Sequence, residues 1–341
     1  MVGLLVKGLW AVLLLASNAR VDGLALQFGK LHSFGHQQAA FRLVSVPYRS
    51  IVAPPGDVAG LPAQYSLGEL LAYVPSAPVT SELLVFLPGS GSFCGNYTQF
   101  LTTLGGHIRT LCLPYDNLDT IASLCGLNNR CYPDLRLEAF NGTFAGVHGN
   151  NIETRLAEAL TYLSQHDSSS WSTYLSMPSG LPAWSRVRLS GHSQGAGHAA
   201  IIGYYREVAR VVQFSGVCDR SDWTAKLGPP VTPASRFYGF ASRWDVTCPT
   251  NEQQLASWRA EGGLPPGIEP IHLHSFAEMQ MSRLDLDGSH FVVSDFIPPG
   301  CELATMLHDE DCMDRAHQST AENVWPEAPY ANGVWQGLCG V

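Results

Sequence analysis

Continuous apolar runs alternate with segments of helical period along most of this chain. Leu83-Leu-Val-Phe-Leu87 has no polar break, the pattern of a strand buried on both faces of a parallel sheet. Over 151–166, Ile152, Leu156, Leu160 and Leu163 recur on one helical face while Glu153, Arg155 and Glu158 turn elsewhere. Val187 and Leu189 alternate into a Gly-rich turn, and Ala196, Ala199, Ala200, Ile201 and Ile202 after it make a small-residue helix suited to close packing on a sheet. Further strands are expected at 41–46, 66–73, 82–87, 107–113, 208–214 and 236–241, and helices at 96–105, 118–124 and 252–261. Either 271–276 or 290–296 supplies the last parallel strand. Residues 126–150 lack a clear period and are expected to form a surface excursion. Strands alternating with helices predict an α/β fold, a mostly parallel central sheet with helices on both faces. No internal repeat or long linker divides the chain, so 20–341 is expected to be a single domain.

Composition supports a packed core and restricts the partners. Of 341 residues, 45% are hydrophobic and 14% charged, as expected of a globular chain. The formal charge of −9 comes with no basic stripe, which excludes nucleic acid as an expected partner. Residues 1–19 carry Lys7, a short apolar core and the small residues of Ser17-Asn18-Ala19, the features of a secretory signal peptide. Its removal would take one positive charge and leave −10. No later run approaches spanning length. Nine cysteines fit an oxidising compartment, and the odd count leaves at least one unpaired within the chain. Cys125 with Cys131, Cys301 with Cys312 and Cys218 with Cys248 are the expected pairs. Asn96-Tyr97-Thr98 and Asn141-Gly142-Thr143 are glycosylation sequons.

The chemistry centres on Gly191-His192-Ser193-Gln194-Gly195, which fits G-x-S-x-G in a strand-turn-helix context, the setting of a nucleophile elbow. A serine hydroxyl needs a base and a group that orients the base. Asp245, just past the strand at 236–241, is the expected acid; Asp219, past the preceding strand, is the alternative. His317 is the expected base if 290–296 is the last parallel strand, because His290 then lies at its N-terminal end. If 271–276 is that strand, His290 becomes the base. Oxyanion donors are expected from the backbone N–H of Gln194 and from Ser90 or Gly91 in the loop after Leu87. The carboxylates of 308–314 lack the glycine and spacing of a calcium loop and suit a solvated face. No metal or cofactor is implied.

Leu87-Pro-Gly-Ser-Gly91, Gly191-His-Ser-Gln-Gly-Ala-Gly-His198, Arg236-Phe-Tyr-Gly-Phe240 ahead of Asp245, Gly288-Ser-His290 and Ala316-His-Gln-Ser-Thr320 together resemble the α/β-hydrolase superfamily, and within it a poorly characterised cutinase-like branch of secreted serine hydrolases. The resemblance covers about 83–341. It implies an α/β-hydrolase fold and ester hydrolysis through an acyl-enzyme, with Ser193, His317 and Asp245 as the triad. The segment 219–235 is too short for a large lid domain, and the 126–150 excursion is placed to cover the cleft. A small-molecule or lipid-like ester is the expected substrate. The alternatives are a catalytically silent hydrolase fold that binds a ligand, or a lipase, peptidase or acyltransferase on the same triad. Acyl and alcohol specificity and oligomeric state stay open.

Overall fold

The computed structural model describes residues 20–21, 24–27, 41–47, 68–142, 151–217, 222–247, 251–274, 288–304, 308–325 and 329–341, with the single positions 219, 278, 284, 286 and 306. The expected leader, the Cys218–Cys248 pair and Thr143 of the second sequon lie outside the described residues. Among the described residues eleven strands form one sheet in the order β1-β2-β3-β4-β6-β5-β7-β8-β9-β11-β10. They are β1 (Arg20–Val21), β2 (Leu24–Gln27), β3 (Phe41–Pro47), β4 (Glu69–Pro75), β5 (Leu83–Leu87), β6 (Arg109–Cys112), β7 (Val187–His192), β8 (Arg210–Phe214), β9 (Phe237–Ser242), β10 (Ile271–Leu273) and β11 (Phe291–Ser294). The first four pair antiparallel at one edge, β4 meets β6 antiparallel, and every pairing from β6 to β10 is parallel.

Both faces of the parallel part are covered, as the unbroken apolar run of β5 requires. Leu83, Val85 and Leu87 enter one core with α4 (Ile152–His166) and α5 (Gln194–Tyr205), whereas Leu84 and Phe86 enter the other with α1 (Thr98–Gly105) and the C-terminal Trp335 and Leu338. Asn151 caps α4 by accepting a hydrogen bond from Thr154 N, which satisfies a backbone donor that the helix cannot. The fold is therefore α/β with helices on both faces. Strands 271–273 and 291–294 both belong to the parallel sheet, and β11 lies between β9 and β10.

One expectation is corrected. The stretch 126–150, read as an irregular excursion, contains a three-turn helix, α3 (Cys131–Asn141), while α2 (Ile121–Cys125) just before it overlaps the helix expected at 118–124. This helix buries Tyr132, Arg136, Leu137 and Phe140. A buried arginine in that stripe conceals the helical period from a hydrophobicity reading. Between β8 and β9 the one α-helix among the described residues is the single turn α6 (Trp223–Lys226), and α7 (Asn251–Ala260) follows β9.

Among the described residues three disulfides join Cys94 to Cys112, Cys125 to Cys131 and Cys301 to Cys312. The second links α2 to the start of α3. The third fastens α8 (Glu310–Gln318) to the chain before it. Cys339, in α9 (Gln336–Cys339), is a free, buried thiol that burial pushes up to about 12. Among the described residues no helix is long and apolar enough to cross a membrane. Because Cys94–Cys112 spans 18 residues, the Cys94→Ala/Cys112→Ala variant should lose about 3 kcal/mol of stability by the loop-entropy relation. Denaturant unfolding of the two proteins checks this.

Candidate active site

Ser193 stands between β7 and α5 with φ of 54°, a left-handed conformation in which few non-glycine residues are found. Its neighbours make that turn possible. A Cβ on Gly191 would lie 2.3 Å from the carbonyl carbon and oxygen of Gly195, and a Cβ on Gly195 would lie 2.1 Å from the Leu87 carbonyl oxygen. Only residues without side chains let α5 start this close to the end of β5. The first turn of α5 consequently opens beside the loop that follows β5.

That loop, 88–92, is fixed by partners the sequence reading did not single out. Asn117 Nδ2 donates to Gly89 O at 2.5 Å and Ser92 O at 2.9 Å, Tyr115 Oη donates to Pro88 O at 2.7 Å, and Gly89 N donates to Tyr97 Oη at 2.9 Å. Ser90 Oγ donates to Gln194 Oε1 at 2.8 Å, so the two expected donor residues face each other. Among the described residues neither Ser90 N nor Gln194 N has an acceptor. Gly91 N differs, because it donates to Asn117 O at 2.8 Å. Of the two loop candidates, Ser90 therefore keeps an available backbone donor and Gly91 does not.

Asp245 follows β9 and is fully buried. Its Oδ2 accepts from His317 Nδ1 at 2.8 Å and from Gln254 Nε2 at 3.1 Å, while Oδ1 accepts from Thr247 N at 3.1 Å. His317 is carried by α8, past the end of β11. Burial works against its charged form, but the Asp245 charge and hydrogen bond, with help from Asp314 and Glu322, outweigh burial and hold the ring above the usual histidine value. The His317 carbonyl accepts from Ser215 Oγ at 2.7 Å and from His192 Nε2 at 3.0 Å. The rings of His192 and His317 are 4.9 Å apart. Burial, then the neighbouring His317, pushes His192 down to about 4, so the residue before the serine stays neutral. Its Nδ1 lies 3.0 Å from Tyr97 Oη, whose one proton is donated to Glu322 Oε1 at 2.9 Å.

The alternative acid and base are placed elsewhere. Asp219 forms a buried ion pair with Arg136 of α3, Nε and Nη2 each reaching a carboxylate oxygen at 2.6 Å, and it also accepts from Trp223 Nε1 at 2.6 Å. His290 stands at the N-terminal end of β11, stacked on Tyr238 with Nδ1 3.2 Å from Phe237 O. Neither touches Ser193 or the Asp245–His317 pair among the described residues. Arg136 has a further role in the geometry, since Nη1 donates to the Gln194 carbonyl at 3.0 Å. The guanidinium occupies the space where Gly197 would carry a Cβ, 2.2 Å from Arg136 Cζ. Among the described residues no group of three or more His, Cys, Asp or Glu is arranged to hold a metal ion.

Gly197→Ala should accordingly force this hydrogen-bonded guanidinium aside and cost about 1–3 kcal/mol, the usual range for overpacking a close-packed site. Thermal denaturation of parent and variant measures the loss. Neither a scan against models of protein families nor a search of curated proteins finds a match to this chain.

Proposed function

We propose that this chain is a serine hydrolase of the α/β-hydrolase type, acting on carboxylic esters with Ser193 as nucleophile, His317 as base and Asp245 as the group that orients the base. The observation that carries the reading is the convergence of three elements. The serine sits on a strained strand-to-helix turn, a buried Asp–His pair follows it in the order Ser, Asp, His, from the end of β9 and from α8, and Ser90 and Gln194, each with a backbone N–H that has no acceptor among the described residues, meet through their side chains.

The roles follow from the atoms. Asp245 accepts the Nδ1 proton, which leaves Nε2 of His317 as the lone-pair nitrogen. Nε2 takes the proton of Ser193 Oγ as the oxygen attacks the acyl carbon. The N–H groups of Gln194 and Ser90 stabilise the oxyanion, each contributing on the order of 3 kcal/mol. His317 then gives its proton to the departing alkoxide, and a water activated in the same way releases the acid from the acyl-enzyme. Ser193 Oγ makes no hydrogen bond to a described residue, so in this mechanism the Oγ–Nε2 bond forms by rotation of the serine side chain once the acyl group is bound. The disulfides support the secreted part of the reading, since such bonds persist in oxidising compartments.

A fluorophosphonate probe tests the assignment. The parent should be labelled at Ser193, with His317→Ala abolishing labelling and His290→Ala retaining it. A folded parent that does not react would replace the hydrolase with the silent, ligand-binding alternative. Ester, amide and acceptor-alcohol panels separate esterase from peptidase and acyltransferase.

The pH profile provides a second check. His317 works only when neutral, so with its pKa raised the acid limb of kcat/KM should lie above 6.5, activity falling as pH drops through the limb. Asp245→Asn removes the charge that holds the ring up while burial remains. It should move the limb to lower pH and reduce kcat by on the order of 10³–10⁴, as read from pH–rate profiles of the two proteins.

A further inference from the structure

A cavity of about 230 Å³ opens directly behind the elbow, with Gln194, His198 and Tyr115 on its floor and Asp116 and Asp119 at its mouth. It far exceeds the ~10–15 Å³ that one water needs. Leu135 of α3 and Ile121 of α2 supply apolar wall. The floor touches the proposed catalytic centre through Gln194, the residue after the nucleophile.

His198 is the unusual group here. It is fully buried, its ring packs edge-on against Tyr115 at 5.2 Å, and neither Nδ1 nor Nε2 has a hydrogen-bond partner. Buried polar atoms without partners are uncommon in native proteins and call for one. Burial first, then the Arg136 charge, holds His198 well below the usual histidine value, so it offers one donor and one acceptor nitrogen to the cavity.

The charge around the cavity decides among ligands. The Arg136 guanidinium beneath is matched by Asp219. Asp116 and Asp119 are exposed at the mouth and pair with no cation among the described residues. An alkyl group would leave both imidazole nitrogens unsatisfied, and such a group costs about 1–3 kcal/mol. An anion would meet the carboxylates of Asp116, Asp119 and Glu138 and no available guanidinium. An ammonium group donates to the acceptor nitrogen of His198, leaving one imidazole nitrogen unpaired where an alkyl group leaves two, and it lies within the field of the carboxylates.

Resting on the serine-hydrolase reading, we infer that this cavity is the subsite for a compact, ammonium-bearing part of the substrate, so that the enzyme prefers amine-bearing esters to their uncharged isosteres. Two experiments test it on the full chain. In the first, n-butylammonium and n-butanol are titrated against protein labelled with ¹⁵N-histidine. The amine should shift the His198 signals, butanol should not, and Asp116→Asn/Asp119→Asn should weaken amine binding about five-fold, the factor an exposed ion pair near the top of its range supplies. Unmoved His198 signals, or equal shifts from the alcohol, overturn the site.

The second experiment compares kcat/KM for the p-nitrophenyl esters of β-alanine and butyrate. The ratio should favour the β-alanine ester, fall with added salt and approach one in the double Asn variant, with thermal denaturation as the control for folding. A ratio near one in the parent overturns the subsite. Absence of fluorophosphonate labelling in a folded parent would instead remove the hydrolase reading, and the amine titration would then decide the cavity's ligand on its own.

Discussion

The approach of Gly195 to the end of β5 is the constraint on which the rest of the centre depends. With a would-be Cβ only 2.1 Å from the Leu87 carbonyl oxygen, the turn admits no side chain, and the first turn of α5 is pressed against the loop that follows β5. One consequence is conformational, because Ser193 is held at positive φ and its side chain does not cap the helix. Another is electrostatic. Gln194 N opens the helix without an intrahelical acceptor, as the first donors of any helix do, and the same approach sets Ser90 across from it.

Much of this is legible in the sequence because glycine, alternation and unbroken apolar runs are local signals. The run 83–87, the stripe of α4 and the small residues of α5 each specify an element from their own composition, and the structure keeps them. The two late strands are legible as strands, but whether a histidine stands before or after one depends on sheet order. His290 precedes β11 and His317 follows it. Disulfides closing short loops are legible too, whereas Cys94–Cys112 joins residues that only the pairing of β5 with β6 brings together.

The two acid candidates show where local signals stop. Asp219 and Asp245 both follow a strand, and nothing in their immediate neighbours separates them. What separates them is Arg136, which lies 83 residues before Asp219 and claims both its carboxylate oxygens. Arg136 is also the residue that conceals α3, since a buried charge breaks the apolar stripe that would announce the helix. A buried ion pair of this kind contributes little net stability compared with an apolar substitute. Its evident role is positional, because the guanidinium spans from Asp219 to the carbonyl of Gln194 and ties α3 to the elbow.

His317 is registered against that elbow by its backbone as well as by Asp245. Its carbonyl accepts from Ser215 at the end of β8 and from His192 at the end of β7, so two adjacent strand ends hold the turn of α8 from which the imidazole projects. The carbonyl bond also fixes the proton on His192, since Nε2 must carry hydrogen to donate. With Nδ1 then bare and the ring buried beside His317, a second proton on His192 would place two cations 4.9 Å apart. The pair therefore carries one positive charge at most under ordinary conditions, and Asp245 draws that charge to His317. Staying neutral, His192 holds the turn of α8 in place, and in the proposed mechanism a carboxylate in its place would compete for the proton that His317 takes from Ser193.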